Sequence, residues 1–193
     1  MQNLQSKIAM TQIVICPGIH EPKLTEDFIL GSGWGCPNLL IFPAQDYPAY
    51  SGVHILQFLG DRDRVPAASE LIFISFSAGV VGAIAAALAW QLQGGKVKAF
   101  IAVDGWGVPL TGNFPIHRIS HDYFTHWSSA LLGSGLDSFY ADPPIEHLEL
   151  WRNPQTARGW WVQHSEGTSE TRSPTTAAVF LNHLLQRYSG ALE

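Results

Sequence analysis

Short, continuously apolar runs recur along the chain, separated by segments whose apolar positions repeat at helical spacing. Runs of that kind mark strands covered on both faces, as in parallel sheets, whereas half-exposed antiparallel strands alternate apolar with polar. "TQIVICPG" (11–18) is predicted to be a strand ended by a Pro-Gly break. "EPKLTEDFIL" (21–30) follows as a helix, with Pro22 suited to a first turn and Gly31 and Gly33 to its end. A second unit pairs the strand "NLLIFPA" (38–44) with "YSGVHILQFLG" (50–60), where Val53, Leu56 and Leu59 fall at helical spacing. In the third, "LIFISF" (71–76) turns into a long alanine-rich helix over 78–93, stopped by Gly94 and Gly95, and "KVKAFIAVDGWG" (96–107) supplies a fourth strand.

Beyond residue 107 the pattern loosens. Residues 108–144 are rich in Pro, Gly, His and aromatics, and a loop so long inside a compact domain usually has a function or structure of its own; a short helix is predicted near "HDYFTHWSSALL" (121–132). "EHLELW" (146–151) and "GWWVQH" (159–164) are two further strand candidates. The closing helix is predicted over 173–190, with Ser173 as cap, Pro174 in the first turn and Gly190 as stop. The expected fold is α/β, a mainly parallel sheet of about six strands with helices on both faces. It forms one domain over residues 1–193, with an aromatic-rich insertion at 107–144.

Composition narrows the function. Of 193 residues, 46% are hydrophobic and 14% charged, which fits a folded chain with a large core. A net charge of −5, with Lys and Arg scattered singly, offers no footprint for nucleic acid or an anionic membrane. The opening "MQNLQSKIAMTQ" lacks the apolar run of a secretory signal, and no stretch has the length of a membrane span, so the expectation is a cytoplasmic protein. Cys16 and Cys36 show neither metal-ligand nor redox-pair spacing and read as reduced thiols. No glycine-rich phosphate loop follows the first strand, which argues against nucleotide binding.

Chemistry enters at Ser77, on the corner between strand and helix. In an open parallel sheet, ligands bind beyond the carboxyl ends of the strands. A serine on so tight a corner needs small residues two places to either side, and Ser75 and Gly79 supply them. The helix then directs its N-terminus, beginning with the Ala78 N–H, toward the place where an oxyanion would form. With "SFSAG" between a strand and a helix, the chain resembles the α/β-hydrolase superfamily, whose nucleophile elbow reads G-x-S-x-G; here Ser75 stands for the first glycine. A serine that merely lets a helix pack closely on a sheet is the plainer alternative.

What the resemblance implies is a histidine base and a carboxylate. In the superfamily the histidine normally lies between the last strand and the last helix, the position of His164, with His121 as runner-up. Some members carry the acid after the strand that follows the nucleophile helix, which points to Asp104, although an aspartate is equally at home in a turn such as "DGWG". Asn153 or Asp142 is the third choice. The second oxyanion donor is expected from "CPGIHEP", as the N–H of Ile19 or His20, with His20 itself at the mouth. His117 and His121 are four apart beside Asp122, but without the His-Glu-x-x-His pattern, so no metal site is expected there, and no cofactor. His54, His147 and His183 fall within predicted elements and read as packed or solvent-facing. Trp106 and Trp127 flank the candidate site and favour an acyl or aryl group over a sugar or phosphate.

Two functions follow from these expectations. One is a metal-free serine hydrolase of the esterase or lipase kind, acting on a small acyl substrate. The other is a catalytically inactive protein of the same fold that binds a hydrophobic ligand or partner. Nothing in the residues speaks to oligomeric state.

Overall fold

The computed structural model describes residues 11–34, 38–61, 65, 69–133, 135–163 and 170–190; Cys36 and His164 lie outside them. Among the described residues eight strands make one mixed sheet in the order β2-β1-β3-β4-β5-β6-β7-β8. They are β1 (Thr11–Cys16), β2 (Leu39–Ile41), β3 (Glu70–Phe76), β4 (Lys96–Val103), β5 (Ile116–Ser120), β6 (Ser138–Ala141), β7 (Arg158–Gln163) and β8 (Thr171–Thr176). The first six pair in parallel, while β7 pairs antiparallel with both β6 and β8.

Helices α1 (Pro22–Ser32), α2 (Gly52–Gly60), α3 (Ala78–Leu92), α4 (Tyr123–Ala130), α5 (His147–Arg152) and α6 (Ala177–Ser189) connect or close the strands. The sheet is buried on both faces because successive residues of its central strands point opposite ways. Ile13, Ile15, Ile72 and Ile74 pack with residues of α1, α5 and α6 on one side. Val14, Cys16, Leu71 and Phe73 pack with α2 and α3 on the other. Among the described residues no helix is long and apolar enough to cross a membrane.

The α/β class with helices on both faces agrees with the hydrophobic pattern; the strand count of about six does not. Two of the additional strands come from the stretch 107–144 expected as an insertion, where β5 and β6 join the main sheet with α4 between them. Another is β8, whose sequence "TRSPTT" carries no apolar run because it lies at the margin of the sheet and is largely exposed. Ser173 and Pro174 therefore belong to a strand, and α6 starts at Ala177 with the Thr176 hydroxyl accepting from the Val179 N–H at 3.3 Å. Only seven residues separate Gln163 from Thr171, too few for the crossover a parallel pair requires.

The segment 146–151 is a helix rather than a strand. Its period-two look is overruled by burial, since adjacent Leu150 and Trp151 both face the core. Trp151 stacks on Phe28 of α1, with ring centroids 3.5 Å apart, and fixes α5 beneath the sheet's carboxyl edge.

His117 on β5 is a structural histidine. Fully buried, it donates from Nδ1 to the Asp137 carbonyl at 3.0 Å and accepts at Nε2 from the Tyr188 hydroxyl at 2.8 Å. Burial pushes its pKa down from 6.5 to about 4. The unfolded chain takes up a proton near the upper value while the folded chain refuses it, so stability falls as pH drops through that window and is unaffected above it. Urea denaturation at pH 7 and pH 4 is expected to show a loss on the order of 3 kcal/mol from this residue, and His117→Asn should flatten that part of the acid dependence.

Candidate functional site

The carboxyl ends of β3, β4 and β5 and the amino end of α5 surround one cleft of about 500 Å³. Ser77 follows β3 and sits at φ 52°, ψ −123°. That is the geometry of the first central residue of a type II′ turn, normally left to glycine. A serine preceding a helix usually turns its hydroxyl back to cap it, but Ser77 makes no such bond, and among the described residues its hydroxyl has no hydrogen-bond partner. The strained corner is held by the main chain, with the Ser77 N–H donating to the Val103 carbonyl at 3.0 Å.

Close approach explains the small residues around it. A Cβ on Gly79 would lie 2.3 Å from the Pro17 carbonyl oxygen and 2.4 Å from that of Cys16. A Cβ on Gly18 would lie 3.1 Å from Ser77 Cβ. The loop after β1 thus rests directly on the corner. Ser75 fits in place of a glycine because its hydroxyl, fully buried, donates to the Ile101 carbonyl at 3.3 Å. Ala78 opens α3, where the first N–H groups lack intrahelical acceptors. The Ile19 side chain is 75% exposed, so any role for this residue at the cleft falls to its main-chain N–H.

Asp104 follows β4, also at positive φ (50°), with its N–H donating to the Ile119 carbonyl at 2.8 Å. Its side chain is 1% exposed. Oδ1 accepts the main-chain N–H of His121 at 2.9 Å. Oδ2 lies 2.9 Å from His121 Nδ1 and 2.8 Å from His147 Nδ1. A carboxylate only accepts, so both imidazoles donate through Nδ1–H and leave Nε2 as the basic nitrogen. The bond to Asp104 raises the His121 pKa, against the opposing effect of burial. The far nitrogen of His121 lies 3.6 Å from an Asp122 oxygen. The His147 ring instead stacks on Phe76, the residue before Ser77, with centroids 4.7 Å apart.

Not every expected residue converges here. Trp106 lines the cleft and donates from Nε1 to the Ser128 hydroxyl at 3.0 Å. Trp127 lines a neighbouring cleft with Arg118 and Arg172. Asn153 ends α5 and bonds Glu149, and Asp142 accepts from Trp160. His20 packs its ring near Phe76 and Trp151, donates from Nδ1 to the Glu21 carbonyl, and has a pKa lowered chiefly by burial. His126 is buried beside Tyr123 and Tyr140. His147, which the pattern assigned to a strand, is the histidine that sequence reasoning missed. The signal for it is "DPPIEH": two prolines end β6, and a histidine opens the next helix at the sheet's carboxyl edge.

Neither protein-family models nor curated proteins match the chain.

The strain at Ser77 is measurable. Ser77→Gly removes the Cβ from a glycine conformation and should melt higher than Ser77→Ala, which keeps the strain, by about 1 kcal/mol of stability. Equal melting temperatures for the two variants would mean the corner is unstrained.

Proposed function

We propose that the protein is a serine hydrolase that cleaves acyl esters, with Ser77 as nucleophile, His147 as base and Asp104 as the carboxylate that orients it. The observation that carries this reading is the placement of Ser77 in a glycine conformation on the wall of a cleft shared with a histidine–aspartate pair. Both the corner and the pair resemble the α/β-hydrolase arrangement. His147 is preferred to His121 because its ring lies on Phe76 beside the serine, whereas the far nitrogen of His121 is turned toward Asp122. The earlier expectation for the base, His164, lies outside the described residues.

In this mechanism the Ser77 oxygen attacks the ester carbonyl and its proton passes to His147 Nε2. Charge on the tetrahedral oxygen is met by the Ala78 N–H and, across the corner, the Ile19 N–H. His147 returns the proton to the leaving alcohol, and water then releases the acyl group by the reverse relay. Asp104 stays ionised and holds the imidazolium. Val81, Val108, Trp106 and Phe124 make the remaining wall apolar, which suits an acyl or aryl group. We take the enzyme to be cytoplasmic, where a free buried thiol such as Cys16 stays reduced, and to need no cofactor.

A second reading, a non-catalytic protein that holds a hydrophobic ligand, draws on the Ser77 hydroxyl, which has no hydrogen-bond partner among the described residues, and on the exposed rings of Trp106, Phe124 and Trp127. The test is turnover of short-chain p-nitrophenyl esters together with labelling by a fluorophosphonate. Ser77→Ala should abolish labelling, and Ser77→Ala, His147→Ala and Asp104→Asn should each lower turnover by about 10⁴-fold while circular dichroism stays unchanged. Loss of activity in His164→Ala with activity kept in His147→Ala assigns the base to His164. A wild-type protein that is neither labelled nor active leaves the binding reading.

A further inference from the structure

A serine triad needs one imidazole on its carboxylate, yet Asp104 Oδ2 holds two, His121 and His147. The three donor atoms, two imidazole nitrogens and one carboxylate oxygen, lie within 4.8 Å of one another. We propose that Asp104, His121 and His147 form a binding site for a divalent transition metal of the zinc and cobalt class. If Ser77 hydrolyses esters as argued above, metal bound there blocks the reaction, because it takes both the base and the carboxylate that orients it.

The donor set and its surroundings favour this assignment. Two nitrogens and one carboxylate oxygen suit zinc, cobalt or nickel, and they are too few oxygens for calcium or magnesium. Metal–ligand bonds of about 2.0–2.2 Å at tetrahedral angles separate ligand atoms by roughly 3.3–3.6 Å. The observed 2.8 and 2.9 Å therefore need a small opening and the two imidazole nitrogens, within 4.8 Å of each other, must settle at the same separation; both adjustments are within reach of ring rotation because the His147 and His121 side chains are 40% and 25% exposed. The carboxylate is the fixed member, buried and anchored through Oδ1 by the His121 main-chain N–H.

A carboxylate already stands near the outer nitrogen of one of the two imidazoles. Ligating imidazoles commonly direct their other nitrogen to a carboxylate, and His121 Nε2 lies 3.6 Å from Asp122 Oδ2. Asp122 and Glu146 both act electrostatically on His121, so the surroundings carry the sign a dication requires. Three protein ligands leave a coordination position open, and the cleft that these residues line also contains Ser77. The pair that the sequence made conspicuous, His117 and His121, does not form this site, since both nitrogens of His117 are bonded elsewhere.

The binding test uses Ser77→Ala, which keeps all three ligands and needs no turnover. Titrated with Co²⁺ in metal-free buffer, it should develop the visible ligand-field absorption of a low-coordinate cobalt ion, saturating at one equivalent and displaced by Zn²⁺. Adding His121→Ala, or His147→Gln with the fold checked by circular dichroism, should weaken Co²⁺ binding by at least about tenfold. Adding His183→Ala, on the far end of the chain, should leave it unchanged. In the wild-type protein Zn²⁺ should suppress ester turnover with the midpoint seen for binding, and EDTA should restore it. Absence of a saturable absorption, or affinity indifferent to both ligand substitutions, overturns the site. Full turnover at saturating Zn²⁺ overturns the block. Cobalt binding that depends on His121 in a protein whose wild type hydrolyses nothing supports the site and removes the hydrolase reading instead.

Discussion

The carboxylate of Asp104 is the point on which the cleft depends. A buried carboxylate is costly unless every lone pair is met, and this one is met by a main-chain N–H and two imidazoles drawn from different parts of the chain. The residue after β5 and the first residue of α5 are thereby tied to the end of β4. Asp104 reaches that position through a positive-φ turn, as Ser77 does one strand away. Two adjacent strand ends thus leave ordinary backbone geometry together. Each is restrained by a main-chain bond to the next strand, Ser77 to Val103 and Asp104 to Ile119. The sheet holds the strain, and the cleft is where it is kept.

Tight packing behind the corner makes this possible. Gly79 permits α3 to touch the end of β1, and Gly18 permits the following loop to touch Ser77. On the opposite side Phe76, His147, Trp151 and Phe28 form a column of rings from the cleft wall to α1. Helix α5 is short and would be marginal alone. Its Trp151, buried in the column, gives it a place, and that places His147.

Much of the parallel half of the sheet was legible because its strands are buried on both faces, which leaves uninterrupted apolar runs such as "LIFISF". The corner was legible for the same reason, since a strand, a small-residue turn and an apolar helix follow one another without a gap. The later part obeys weaker signals. Strand β8 is polar because it is largely exposed at the margin of the sheet, and Pro174 imitates a helix start. Helix α5 imitates a strand because Leu148 and Leu150 alternate with polar residues, although Leu148 is exposed and the core receives the adjacent Leu150 and Trp151. Reading a strand there took His147 out of consideration, while His164 was expected as the base from the position that the superfamily gives its histidine. The Asp104–His121 contact had a partial signal in the sequence, one residue being favoured and the other a runner-up; that both imidazoles share one oxygen is a three-dimensional fact with no local trace.

Pro174 has a further consequence at the margin of the sheet. Exposed sheet edges invite strands from other molecules, because their unpaired N–H and C=O groups are a template for extension. Here one border is β2, only three residues long, and the other is β8, where Pro174 has no N–H to offer and Arg172 carries charge. A foreign strand finds too short a run at one border and a missing donor at the other. Extension of the sheet from one copy of the chain to another is discouraged at both.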